Sequence, residues 1–306
     1  MSHALSVWIR SLALPASRLI AALLFSLAAL AAQAADIAVV LPGETALTGE
    51  FVEALRERRP DDHVFVSLLA PEAALPEADI IITMGQHSLT WRLTQPETTP
   101  TVATYVVAST LDSLDAPPPS FLQLLLASPK PDRQLALARL LLPRLGTVGL
   151  LHSPAALAQL GGWRRAAAAL ELEVVAAEVS ETGNLARRVA DVLDASDVLV
   201  APDDPAVYNA DNLKTILLTS YARNKVLIGP SAPFIAAGSL STTFSSPEQM
   251  ADSVDRLLDQ AWQPGAIHYP TQFSVLSNRQ VARSLGLPLP EDDQLADELR
   301  HQEAQP

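Results

Sequence analysis

The sequence predicts an α/β protein made of two consecutive units, each a parallel sheet covered by helices. Short β-branched apolar runs alternate with longer amphipathic segments from residue 36 onward. The strand runs are continuously apolar rather than alternating, which implies burial on both faces. A Pro-rich stretch at 115–120, Asp-Ala-Pro-Pro-Pro-Ser, separates two runs of the same alternation.

The first unit reads as a strand at 36–41, a helix at 48–59, a strand at 63–69, a Pro-bounded turn, a strand at 79–83, a helix at 88–93 and a strand at 101–107. Beyond the Pro-rich seam a strand at 121–126 leads to a helix at 132–142, stopped by Pro143. Then come a strand at 147–151, a helix at 154–170 interrupted at Gly161-Gly162, a strand at 172–177, a helix at 184–193, a strand at 197–201, a helix at 209–223 and a strand at 226–229. Ser153-Pro154 is an N-cap followed by Pro at the first helical position. Ser246-Pro247-Glu248-Gln249 repeats it with a capping-box Gln, and Ser277-Asn278-Arg279-Gln280 reads as a second box. The last helix stops at Gly286, and the charged, Gln-rich residues 291–306 read as a frayed, flexible tail.

The chain has 306 residues, 49% hydrophobic and 18% charged, which excludes a disordered protein. A formal charge of −13 excludes nucleic acid as a partner, because phosphate contacts need clustered Lys and Arg. Cysteine is absent, which removes disulfides, a thiol nucleophile, Cys-ligated zinc, an iron–sulfur cluster and a lipid-modified N-terminal Cys. Arg10 and Arg18 precede an apolar run at 19–30, followed by Ala32-Gln33-Ala34. This pattern predicts a signal peptide over 1–34, cleaved after Ala34, and hence a periplasmic protein that is not a lipoprotein. An uncleaved anchor is the alternative, since residues 19–35 carry no charge. Removing Arg10 and Arg18 would take the net charge from −13 to −15. The uncharged stretch 226–247 does not span a membrane: Gly229, Pro230, Pro233 and Gly238 break any helix, and strand, turn, strand is the better reading. No Gly-x-Ser-x-Gly elbow, phosphate loop, dinucleotide turn or His-Glu-x-x-His occurs, and no enzyme is expected.

Residues 208–221, 226–229, 237–240, 245–249 and 277–286 together resemble the ABC-transporter substrate-binding proteins of the tryptophan/tyrosine-binding type. Gln134-Leu135-Ala136-Leu137, through Pro143 to Val148-Gly149-Leu150-Leu151, is similar to that family's entry into its second lobe. The resemblance implies a type I periplasmic-binding-protein fold, with two Rossmann-like lobes hinged around a cleft and each assembled from discontinuous segments. The first lobe would take 35–126 plus about 236–268, and the second 127–235 plus about 269–290, with crossings near 121–128, 231–240 and 267–273. It also implies an exported solute-binding protein that captures a small molecule, an amino acid or related compound, for the inner-membrane permease of an ABC transporter. The alternative is a degenerate homologue that serves a periplasmic sensor or interaction partner without transport. Two departures bear on the ligand. Met84-Gly85-Gln86-His87-Ser88 stands where the family has a small Gly- or Thr-rich loop, and the segment between the lobes is compressed to 109–119.

Ligands of open α/β sheets bind at the C-terminal ends of the strands. The candidates are therefore Thr45, Gly85, Gln86, Ser88 and Ser109 in the first lobe, with His152, Ser153, Asp203, Asp204, Tyr208 and Ser231 in the second. Hydroxyls and helix amides would take a carboxylate, and Asp203 or Asp204 an ammonium group. Against this, Ser153 reads equally as a helix cap and Asp203-Asp204-Pro205 as a turn. Tyr208 and Phe234 are the aromatic candidates, while Tyr105 and Phe244 read as core. His87 and His152 lack metal-ligand spacing, so neither a metal nor a cofactor is expected.

Overall fold

A computed structural model describes residues 34–70, 74–112, 117–180 and 184–304. The expected signal peptide, and residues 115 and 116 of the Pro-rich seam, lie outside these. The first sheet has six parallel strands in the order β11-β5-β4-β3-β1-β2: β1 (Asp36–Leu41), β2 (His63–Leu68), β3 (Ile80–Met84), β4 (Thr101–Val106), β5 (Leu122–Leu126) and β11 (Ile267–His268). Helices α1 (Ala46–Arg58) and α9 (Pro247–Leu258) pack together over one face, burying Phe51, Leu55, Met250 and Val254 against Ile37, Val39 and Ile82. Helix α2 (Gly85–Leu93) covers the other face with Leu89, and the short α3 (Ser109–Asp112) follows β4.

The second sheet runs β12-β10-β9-β8-β6-β7: β6 (Thr147–His152), β7 (Glu173–Glu178), β8 (Val198–Val200), β9 (Leu227–Ile228), β10 (Ser241–Phe244) and β12 (Ser274–Ser277). It is parallel except that β12 runs antiparallel to β10, pairing Ser241 with Ser277. Its largest core cluster unites α4 (Pro131–Leu141), α5 (Leu160–Ala169), α10 (Arg279–Ser284) and α11 (Asp292–Glu303). A second cluster unites α6 (Leu185–Asp194) and α7 (Ala210–Tyr221), and α8 (Ala232–Ala237) follows β9. Continuous burial of β1, β5 and β8 agrees with the apolar runs that predicted two-face coverage.

Several elements differ from the sequence reading for visible reasons. Helix α1 starts earlier because Thr45 and Thr48 form a reciprocal cap, each hydroxyl accepting the other's amide at 3.2 and 2.9 Å. The helix expected at 154–170 is a 3₁₀ turn, Ala155–Gln159, followed by α5, and Gly161-Gly162 lies inside α5 rather than breaking it. Residues 226–247 form strand, helix, strand, because Pro233 sits in the first turn of α8, where its missing N–H costs nothing. Asn278, not Ser277, caps α10, accepting from the Gln280 and Val281 amides.

Two larger corrections concern the lobes. Strand β10 belongs to the second sheet, so the chain crosses to the first lobe at 245–246 and not near 236. Ser241, Thr242 and Thr243, in the second strand expected within 226–247, are buried, and Gln134 of α4 explains why Thr242 and Thr243 can be. Its amide donates to the Gly229 carbonyl (2.8 Å) and Thr242 Oγ1 (3.1 Å), and accepts from the Thr243 amide (3.0 Å) and hydroxyl (3.1 Å). Residues 291–304 are not a frayed tail. Helix α11 buries Leu295, Ala296 and Leu299, one apolar stripe among charges, in the second-lobe core.

Close packing of α6 onto β6 requires a glycine. A Cβ on Gly149 would stand 2.5 Å from Val192 Cγ1 and 2.6 Å from Ser196 Oγ. Gly149→Ala should lower unfolding free energy by about 1–3 kcal/mol in urea titrations; an unchanged midpoint would show that this helix shifts freely.

Candidate functional site at the meeting of the lobes

The chain passes between the lobes at 127–130, 245–246 and 269–273. Where the first and third passages meet the strand ends, a cavity of about 190 Å³ lies between the lobes. Ala108 and Leu111, after β4, close it from the first lobe. Ser128 and Tyr269 come from the passages themselves, and Gln159, Trp163, Arg165 and Asp203 from the second lobe. Helix α3 also touches the 3₁₀ turn Ala155–Gln159, so the lobes are in contact across this mouth.

Ser128 organises the site. Its hydroxyl accepts the Ala108 amide at 2.8 Å and donates to Asp203 Oδ2 at 2.8 Å, joining the end of β4, the first passage and the end of β8. Burial pushes the Asp203 carboxyl above the usual carboxylate range; the Ser128 hydrogen bond opposes that shift, and nearby Asp204 adds to it. Among the described residues no basic side chain forms an ion pair with Asp203. Trp163 is 5% exposed and anchored in the second-lobe core. Tyr269 has its phenol pushed up by burial and by Asp132.

Of the expected site residues, Asp203 lines this cavity. Asp204 does other work: it is 2% exposed, accepting the Ser153 amide at 2.6 Å and the Ala206 amide at 3.2 Å. Ser153 caps the 3₁₀ turn through the Ala156 amide, and the buried His152 donates Nδ1 to the Ser153 carbonyl. Tyr208 is packed in the core with Leu151, Val189 and Val207, and burial drives its phenol far up. Ser231 precedes α8. In the first lobe, Thr45 is committed to its cap and faces a separate hollow with Leu41 and Arg56. Gly85 opens α2 at a φ of +78°, which only glycine adopts freely. Gln86 accepts from the Thr110 hydroxyl, Ser88 is wholly buried within α2, and Ser109 is half-buried at the start of α3. Phe234 packs against the core that holds Tyr208, and the aromatic walls are Trp163 and Tyr269 instead. Among the described residues no three His, Asp or Glu side chains gather as a metal-binding group. No helix there is long and apolar enough to cross a membrane.

Two six-stranded sheets linked by three passages match solved structures. A ligand-free, open substrate-binding protein with adhesive properties from Clostridium difficile superposes with a TM-score of 0.63 at 15% identity, covering 84% of this chain and 96% of that one. An ABC domain from Streptococcus pneumoniae in complex with L-Trp gives 0.55 at 14% identity, covering 86% and 98%. A conserved domain protein from Vibrio cholerae gives 0.55 at 15% identity over the same shares. The fold is that of the type I periplasmic-binding proteins. No protein-family model matches the sequence, and no curated protein sequence matches it. At such identities the periplasmic-binding fold is what the likeness shows, and the chemistry of the cleft has to be read from this chain's own residues.

The raised Asp203 carboxyl gives a pH signature. The folded chain holds that proton more tightly than the unfolded chain, so stability is lost as pH rises through the raised value. Asp203→Asn should therefore leave Tm unchanged in acid and raise it at neutral pH. Melting curves from about pH 3 to pH 8 test this, and an equal Tm difference at both ends would contradict it.

Proposed function

We propose that the chain is an exported solute-binding protein that encloses a small ammonium-bearing compound, an amino acid or a close relative, and presents it to the permease of an ABC transporter. The observation that carries this reading is Asp203. A carboxylate held between two lobes with a single hydroxyl donor leaves a charge that a bound ammonium would neutralise, at several times the strength of the same contact in water. Trp163 and Tyr269 offer aromatic faces that favour a cation, and the Arg165 guanidinium suits the carboxylate end of a zwitterion. The cavity of about 190 Å³ is below the range of roughly 300–1,000 Å³ usual for drug-sized ligands, which favours a compact solute. Affinity would arise because the ligand contacts both lobes only when they are closed.

The small cavity and the existing contact of α3 with the 3₁₀ turn also favour a second reading, a receptor-like chain that passes its closed state to a periplasmic sensor.

A thermal-shift panel of amino acids, short amines and organic anions separates the two. A ligand at about 100 times its Kd should add roughly 2.7 kcal/mol of stability, and Asp203→Ala should abolish the shift. Silence across the whole panel would turn the reading to the sensor, while a shift that survives Asp203→Ala would remove Asp203 from the site. Asp204→Ala, by contrast, should destabilise the chain by about 1–3 kcal/mol without altering ligand selectivity.

A further inference from the structure

We infer that the C-terminal helix α11 is a strap that restrains the lobes, by fastening the first and third passages to the body of the second lobe. The fastening is made of charged groups on a buried aromatic ring. Arg133 of α4 is 4% exposed and holds the Glu303 carboxylate with both Nε (3.0 Å) and Nη2 (2.9 Å). The same Nη2 donates to the Pro270 carbonyl at 3.2 Å, and the guanidinium lies 3.7 Å from the Phe273 ring centroid. Arg300, one turn back along α11, donates Nη1 to the Phe273 carbonyl at 3.0 Å. Lys130, the last residue of the first passage, reaches Glu303 at 3.6 Å. One carboxylate thus gathers the first passage through Lys130 and the third through Arg133.

These contacts stand directly behind the cavity. Pro129 and Pro131 line it on either side of Lys130, and Tyr269 lines it next to Pro270. Opening the lobes requires the backbone of these passages to rotate, and the strap holds two of the three against rotation. In the bidentate Arg133–Glu303 pair the arginine is buried and the Glu303 side chain is 26% exposed, so the pair is less screened than an open surface pair such as Arg279–Glu291. The inference concerns lobe motion and does not depend on which ligand the cleft takes.

The chain's lack of cysteine makes the test direct. Spin labels at Thr90→Cys on α2 and Lys214→Cys on α7, both exposed, report the separation of the lobes by pulsed dipolar spectroscopy without any ligand. E303Q and R300Q should each add a population at longer distance that the parent lacks. R279Q breaks the Arg279–Glu291 pair at the entrance of α11 without touching a passage, and should not. Deleting α11 would expose Leu295, Ala296 and Leu299, so the single substitutions are the informative ones. If E303Q fails to fold, R300Q, whose side chain is 40% exposed, decides alone. Distributions identical to the parent in folded R300Q and E303Q would overturn the strap, and so would the same added population in R279Q.

Discussion

The hydroxyl of Ser128 is the point on which the meeting of the two lobes turns. It accepts an amide from the first lobe and donates to a carboxylate of the second, and it sits on the chain that passes between them. A part-buried carboxylate with one donor among the described residues is costly to maintain, and such groups are kept where they serve a ligand or fix a conformation. Asp203 faces the cavity, while its neighbour Asp204 is spent on the Ser153 and Ala206 amides, holding the loops after β6 and β8 in register so that Asp203 can face inward. Two adjacent acids in one turn thus differ in setting, one lining the cavity and one committed to backbone amides.

Much of the architecture was legible because burial on both faces leaves a simple mark. The runs at β1, β3, β5 and β6 are apolar without alternation, and each became an inner strand of a parallel sheet. Where the reading failed, polar residues had been buried with partners far along the chain. The segment from 236 was given to the first lobe, yet its strand joins the second sheet, where Gln134, more than a hundred residues earlier, supplies the amide that matches Thr242 and Thr243. The C-terminal segment looks like a solvated tail because its three buried apolar residues are outnumbered by charges, and the arginines that anchor it, Arg133 and Arg300, are paired through contacts no local pattern reveals.

The cleft was legible only in part, and the reason is geometric. The search covered strand C-termini, and Asp203, which lines the cavity, follows β8 there. Yet the walls also come from the passages, which carry no strand signature, and from the 3₁₀ turn and first turn of α5, which put Gln159 and Trp163 into the cavity from what reads as mid-helix. Tyr208, the aromatic favoured by position, follows a tight turn whose backbone is held by the Asp204 carbonyl, and that turn directs it into the core. Residues that face a ligand and residues that face a core differ by one rotation of a loop, which spacing alone does not encode.

The interleaved path of the chain governs the order in which the molecule can be completed during synthesis. Residues 36–126 supply five strands of the first sheet, yet the helix that covers Phe51, Val52 and Leu55 ends at Leu258 and the edge strand at His268. The second lobe in turn waits for Leu295 and Leu299, close to the last residue. A chain growing from its N-terminus therefore carries an uncovered apolar face until α9 and α11 have been made, and neither lobe reaches its final stability before then. Contacts of such large sequence separation slow folding and favour one late, concerted event over lobe-by-lobe assembly. For a chain growing from residue 36, the residues that complete the second core are those of α11.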